Sequence, residues 1–133
     1  VWPDQPERLG RLAKAIAAAR ADPPRLERGD AAVWLKERLK EPQAEGQARV
    51  LMHSVFWPYL PKKTQLTIQA LMNAAKGKAT ATRPLAWLSY EWGAKREPHE
   101  LRLRTWPGTG VDRLLAYAHP HGAWIDWQST APR

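Results

Sequence analysis

The sequence contains no cysteine and few aliphatic side chains. The lack of cysteine excludes disulfides, thiol nucleophiles and zinc sites built on cysteine. Leu, Ile, Val and Phe together make up only 24 of the 133 residues, which is a low share for a folded domain. Eight tryptophans compensate, since each can bury roughly 150–250 Å² of surface. The length and composition therefore predict one globular domain, or a fragment of one, over residues 1–133.

Long hydrophobic runs are also absent, because no uninterrupted apolar run exceeds five residues. This excludes a membrane-spanning helix and the core of a signal peptide within the sequence, so we expect a cytoplasmic protein that does not contact a membrane. The chain begins at Val1 and not at methionine. We therefore expect a fragment or a processed product of a longer protein.

Acidic residues are missing from the centre of the chain, between Glu45 and Glu91. Much of the net charge of +8 is concentrated there, on Arg49, Lys62, Lys63, Lys76, Lys78 and Arg83. Two interpretations are open for the stretch 49–83. It can bind a polyanion such as a nucleic acid, helped by the interleaved aromatic residues Trp57, Tyr59 and Trp87. Alternatively, its lysines simply complement helix dipoles, which is the interpretation we favour.

Helix signals occur in three places. Asp4 and Glu7 form a capping-box pattern that predicts a helix to about Arg20, packed through its leucines and Ile16. Asp30 is placed to cap a second helix over 31–40, with Val33 and Trp34 turned inward and Leu35 and Leu39 as further candidates for that side. A third amphipathic pattern covers residues 62–76, and the expected inward positions are Leu66, Ala70, Leu71 and Ala74.

Strand signals surround the third helix. Residues 49–56 form an apolar run bounded by turns, which predicts a central strand buried on both faces. A second strand at 85–91 would complete a strand, helix, strand crossover. Residues 101–106, 113–119 and 123–127 then alternate in polarity between turns. The predicted class is α/β, with a Rossmann-like mixed sheet that ends in an antiparallel β-meander.

Three side chains near the predicted strand ends are candidates for chemistry, because ligands of open α/β sheets bind at the carboxyl ends of the strands. His53 can act as a general base or be a core histidine whose nitrogens are satisfied. Glu91 can orient a substrate amine or hydroxyl, or be a strand-end charge in water. Tyr59, with Trp57, can stack on a flat ligand or merely pack its proline-rich loop.

A metal site is the weaker interpretation of His119 and His121, with Asp126 nearby in sequence. Alternate residues of a strand share a face, but Pro120 interrupts the alternation and favours a turn. We therefore predict no metal.

Four strings of the sequence are similar to a known family: residues 2–12, the Gly29, Asp30, Ala31 step, residues 53–61 and residues 121–127. Together they resemble the C-terminal part of an uncharacterised bacterial family, domain of unknown function 2332. That family in turn resembles class I S-adenosylmethionine-dependent methyltransferases. The resemblance implies a methyltransferase-like enzyme that acts on an unknown small molecule with S-adenosylmethionine as cofactor.

The same resemblance suggests roles for individual residues. Asp30 matches the polar position after the third strand that contacts the adenine, with Ala31 beside it. The segment after the fourth strand lines cofactor and substrate, which here implies Ser54 and Trp57 for the cofactor. Together with the strand-end position of Glu91 described above, this makes His53, Tyr59 and Glu91 the candidate catalytic residues.

Two features depart from the methyltransferase pattern. The glycine-rich cofactor loop is absent, and only residues 92–100 replace the usual helix after the second strand. We therefore expect the chain by itself to bind S-adenosylmethionine poorly and to be inactive, or to be a non-catalytic domain. In the methyltransferase strand order, residues 49–56 would lie next to a missing strand and expose an apolar edge. This predicts a homodimer or a complementing N-terminal segment.

Overall fold

The computed structural model describes residues 4–93 and 98–128. Trp2, which begins the first family string, and residues 94–97, within the link after the second strand, lie outside the described residues. The helices are α1 (Pro6–Ala21), α2 (Ala31–Arg38) and α3 (Lys62–Ala75), with short 3₁₀ turns at Trp57–Tyr59 and Lys76–Lys78. The strands are β1 (Arg49–Ser54), β2 (Leu85–Trp92), β3 (His99–Trp106), β4 (Arg113–Ala118) and β5 (Ile125–Trp127).

The strands form one five-stranded sheet in the order in which they occur along the chain. β1 and β2 are parallel and are joined through α3, with Arg49 opposite Leu85 and Ser54 opposite Tyr90. β2, β3, β4 and β5 pair antiparallel. The predicted α/β class and the closing meander are confirmed.

The prediction that residues 49–56 form a central strand buried on both faces is wrong, whereas the expected exposed edge is found, since β1 lies at the edge of the sheet formed by the described residues. Its residues alternate between half-buried and exposed, so that Leu51 and His53 face the helices while Val50 and Met52 face outward. A short apolar run has no period that distinguishes a strand buried on both faces from one with a single buried face.

The hydrophobic core lies between one face of the sheet and the helices α2 and α3. Its buried members are Ala32, Leu35, Ile68, Met72, Leu85, Trp87 and Trp106. The inward positions predicted for the helices are partly wrong, because Val33, Trp34, Leu66, Ala70 and Ala74 are exposed. Apolar residues occupy more than one side of both helices, so the sequence pattern alone does not select the side that packs.

The first helix forms near the predicted boundaries but packs differently from the prediction. Its N-cap is Gln5, not Asp4, and no side chain caps it. None of its residues is buried, and Leu9, Leu12 and Ile16 remain exposed. The expected packing of this apolar stripe is therefore not found within the described part of the chain. Within residues 4–93 and 98–128, no helix has the length and apolarity needed to cross a membrane.

The N-cap of α2 carries a testable contribution to stability. The Asp30 Oδ1 atom accepts the backbone N–H groups of Ala32 and Val33, both at 3.0 Å. We expect Asp30→Ala to lower the free energy of unfolding by about 1 kcal/mol, because two helical donors lose their acceptor. Asp30→Asn keeps an acceptor oxygen and should cost less. Urea unfolding of both variants checks this, and equal losses would contradict the capping role.

Candidate functional site

The carboxyl ends of β1 and β2 meet at one edge of the sheet and bring two candidate residues together. His53 lies near the end of β1, and Glu91 lies near the end of β2. Nδ1 of His53 is 2.7 Å from Oε1 of Glu91, and both side chains are mostly buried. The two residues are 38 positions apart in the chain. Parallel pairing through α3 is therefore what makes them neighbours.

A third side chain fixes the tautomer of His53. The indole N–H of Trp87 donates to Nε2 of His53 over 2.9 Å. An indole nitrogen can only donate, so Nε2 must accept and the imidazole proton lies on Nδ1, directed at Glu91. Both ring nitrogens are thus engaged, which is the geometry of a satisfied histidine. Acting as a general base, the role predicted for His53, would require Trp87 to release Nε2.

The carboxylate of Glu91 also holds the turn that follows β1. Oε1 accepts the N–H groups of Phe56 and Trp57 at 3.0 and 3.1 Å, and Oε2 lies 3.2 Å from the Phe56 nitrogen. These N–H groups open the 3₁₀ turn and have no partner within it. The turn enters through Val55 with a φ of +47°, a conformation that is strained for a β-branched residue. Glu91 therefore positions the residues after the strand and is not a free charge in water.

Aromatic rings surround His53. Trp57 stacks on it with ring centroids 5.1 Å apart and an angle of 20° between the planes. Trp87 meets Trp57 edge-on at 5.5 Å. Tyr59 does not join this group, because it is largely exposed and its ring contacts Trp92 at 5.9 Å. Of the three predicted catalytic residues, the structure brings His53 and Glu91 together and leaves Tyr59 apart.

Two cavities share His53 and Trp57. A polar cleft of about 180 Å³ lies on the helix side of β2 and β3, lined by His53, Trp57, Gln69, Trp87, Ser89, Glu91, Arg104 and Asp112. An apolar groove of about 430 Å³ lies between α2 and β1, and three of the four predicted cofactor residues, Ala31, Ser54 and Trp57, line it. The fourth, Asp30, immediately precedes Ala31 as the cap of α2. The stacked pair of His53 and Trp57 thus belongs to both a polar and an apolar cavity.

The sequence interpretation missed several residues of the polar cleft. Trp87 and Ser89 share a face of β2 with Glu91, since alternate residues of a strand point the same way, and this signal was available. Arg104 reaches the cleft through its pairing opposite Trp87 and lies 5.3 Å from that ring. It also forms an ion pair with Asp112 at 3.1 Å. No local sequence pattern predicts that Arg104 and Asp112 reach the cleft, because their positions depend on the register of the strands.

Comparison with known proteins adds one finding. A family model described as an uncharacterized protein conserved in bacteria, domain of unknown function 2332, matches residues 1–127. The chain belongs to this family. No curated protein and no solved structure matches it. The matched range includes every candidate residue from Asp30 to Glu91.

In this family member, the basic stretch 49–83 is divided between the two ends of α3. Lys62 and Lys63 begin the helix at the site edge, while Lys76 and Lys78 follow its end, where Lys78 and Arg49 line one small cavity. The 14 residues of α3 separate the two groups by roughly 20 Å. Lysines at the start of a helix oppose its dipole, so the dipole interpretation suits only the second group. Polyanion binding by this stretch stays a prediction, and the division does not favour it.

The histidines near the C-terminal end of the family match form a turn. The backbone N–H of Gly122 donates to the carbonyl of His119, and that of His121 donates to the His119 ring nitrogen Nδ1. Across residues 4–93 and 98–128, no group of three His, Asp or Glu side chains is arranged to hold a metal ion. The predicted turn at His119 to Gly122 is confirmed.

Nearby, burial raises the pKa of the Tyr90 hydroxyl, which donates to the His119 carbonyl at 2.7 Å.

Proposed function

We propose that this chain supplies the nucleoside-binding and substrate-facing residues of a methyltransferase-like enzyme that uses S-adenosylmethionine on a small molecule. The observation that supports this is the pair of cavities that share His53 and Trp57. Methyl transfer needs a cofactor and a substrate side by side, and one apolar and one polar cavity with a common wall meet that need. The cytoplasm is the location that goes with this proposal.

The apolar groove fits the adenosine end of such a cofactor. Its lining is almost entirely hydrophobic, which suits an adenine ring, and Ser54 supplies a hydroxyl. The two helix N–H groups that Asp30 caps both donate to Oδ1, so Oδ2 is available to accept from a ribose hydroxyl. When bound, S-adenosylmethionine supplies an electrophilic methyl group. The groove residues suit the nucleoside part of the cofactor. Because the glycine-rich loop is absent from the sequence, we expect weak binding of the whole cofactor.

The polar cleft supports a small substrate with both donors and acceptors. The cleft offers the Gln69 amide, the Ser89 hydroxyl and the ion pair of Arg104 with Asp112. Glu91 and His53 act here as positioning residues, because their hydrogen bonds hold Trp57 between the two cavities. In this proposal, the substrate occupies the polar cleft and contacts the Trp57 ring.

Ligand-observed NMR with S-adenosylhomocysteine and the full chain tests the proposal. We expect saturation transfer to the adenine protons, competition by adenosine and no competition by methionine. Asp30→Asn, which keeps the helix cap, should weaken binding about tenfold if the carboxylate holds the ribose. Asp22→Asn, at an exposed position after α1, is the matched control and should bind like the unmodified chain.

Two results would count against the proposal. The first is the absence of any adenine signal from a chain that unfolds cooperatively in urea. The second is binding that Asp30→Asn leaves unchanged. The first result would favour the non-catalytic domain that the sequence left as an alternative.

A further inference from the structure

The outer edge of β1 presents unpaired backbone groups. The N–H of Arg49 donates to Pro84 and that of Val55 donates to Tyr90, both at 2.9 Å on the β2 side. Backbone groups alternate in direction along a strand, so those of Val50, Met52 and Ser54 point away from β2. No strand pairs with this edge in the described part of the chain. Three outward N–H groups and three outward carbonyls therefore remain for another strand.

The side chains along this edge are apolar. Val50 and Met52 are 52% and 56% exposed on the open face of the sheet. On the helix face, a second apolar groove of about 360 Å³ runs under α2 along the amino half of β1, where Trp34, Leu35 and Leu51 contribute to its walls. Exposed edge strands normally carry charges or prolines that block pairing. In β1, Arg49 at the start is charged, and the five residues that follow it include no Asp, Glu, Lys, Arg or proline.

The charge of the edge distinguishes between possible occupants. No acidic side chain lines either groove beside β1. The Arg49 guanidinium donates to the carbonyls of Glu41 and Pro42 and forms no ion pair with a described carboxylate. Arg38, beside it, is already paired with Glu27 and Glu41. A second copy would bring another net charge of +8, which opposes association, whereas an acidic group near Arg49 would be attracted.

We propose that the outer edge of β1 binds an extended apolar segment of another polypeptide, with a carboxylate near Arg49, as an additional strand of the sheet. Alternate side chains of that segment would fill the groove under α2 and cover Val50 and Met52. The groove at the carboxyl end of β1 shares Trp34, Leu35, Leu51 and Met52 with the groove under α2, so a strand that extends to Ser54 would also narrow it. Strand addition does not require that the groove at the carboxyl end of β1 bind a nucleoside.

A six-residue peptide matches the six residues of β1 and serves as the probe. It begins with Asp, continues with alternating Val and Thr, and is blocked at both ends. One twin carries Lys in place of Asp, and a second carries Pro at its central Val. We expect the Asp peptide to bind the full chain, the Lys twin to bind about tenfold more weakly, and the Pro twin not to bind.

Amide hydrogen exchange locates the peptide. Binding should slow exchange at Val50, Met52 and Ser54, whereas Leu51 and His53 are already paired with β2 and should change little. Met52→Pro removes one outward donor and should weaken binding about tenfold, while Met52→Thr keeps it and should bind within about twofold of the unmodified chain. If Met52→Pro does not fold, the exchange pattern and the Lys twin still decide the matter.

Three outcomes would overturn the proposal. They are no binding of the Asp peptide, equal binding of the Pro twin, and protection of the outward amides that rises with protein concentration together with a dimer in sedimentation. The last result would identify a second copy as the occupant. Nucleoside binding is measured separately on the same samples, so the failure of one proposal is distinguishable from the failure of the other.

Discussion

Replacing Glu91 with alanine is expected to lower the free energy of unfolding by about 2–4 kcal/mol. The substitution removes the acceptor of three donors at once, namely the His53 ring and the N–H groups of Phe56 and Trp57. His53 and Glu91 are mostly buried, so water cannot fully replace the lost hydrogen bonds. Urea unfolding followed by tryptophan fluorescence measures the loss.

Two companion variants separate this effect from the loss of any carboxylate. Glu91→Gln keeps one acceptor oxygen and should cost less than Glu91→Ala. Glu37→Ala removes an exposed carboxylate that pairs with Lys40 three residues away, and should change stability by less than about 0.5 kcal/mol. A loss below about 1 kcal/mol for Glu91→Ala would show that the turn after β1 holds without it.

Replacing Met72 with alanine is expected to lower the free energy of unfolding by about 2–4 kcal/mol. Met72 is the most buried large side chain of the core, with 1% of its surface exposed. Its loss leaves a cavity between α3 and the sheet, where Leu35 and Leu85 also pack. Because the core is small, the surrounding side chains cannot collapse fully into this space.

Leu66→Ala on the same helix is the matched control. The sequence pattern assigned Leu66 to the core, but the structure leaves it 53% exposed, and we expect a loss below about 1 kcal/mol. Thermal and urea unfolding of both variants would compare the two sides of α3. Equal losses, or a larger loss for Leu66→Ala, would mean that α3 packs through the side that the sequence pattern suggested.

Local signals were enough to place most helices and strands. Asp30 was expected to cap α2 and does so, because an aspartate before a helix accepts N–H groups that lie within three residues of it. The alternating polarity after residue 100 predicted the meander for a similarly local reason, since the faces of a strand repeat every second residue. Asp4 does not cap α1, because the helix begins at Pro6 and its N-cap is therefore Gln5, one residue after Asp4.

The candidate site was predictable only in part. His53 and Glu91 could be placed at strand ends, and parallel pairing makes such ends neighbours. The bond from Trp87 to His53 could not be predicted, because it depends on a register that sets His53 opposite Ser89 and on a rotamer that turns the indole toward the imidazole. That bond decides whether His53 has a free nitrogen, so the sequence left both interpretations of this residue open.

The sequence by itself determined most of the helices and strands, because caps, turns and polarity periods act over a few residues. It also determined the family and the distribution of charge along the chain. Only the tertiary structure decided that β1 is buried on one face and not on both, that Ile68 and Met72 rather than Leu66 face the core, and that Glu91 holds the turn after β1. These outcomes depend on contacts between residues far apart in the chain. Short apolar runs and helices with more than one apolar side are compatible with several packings, and the free energy of the whole fold selects among them.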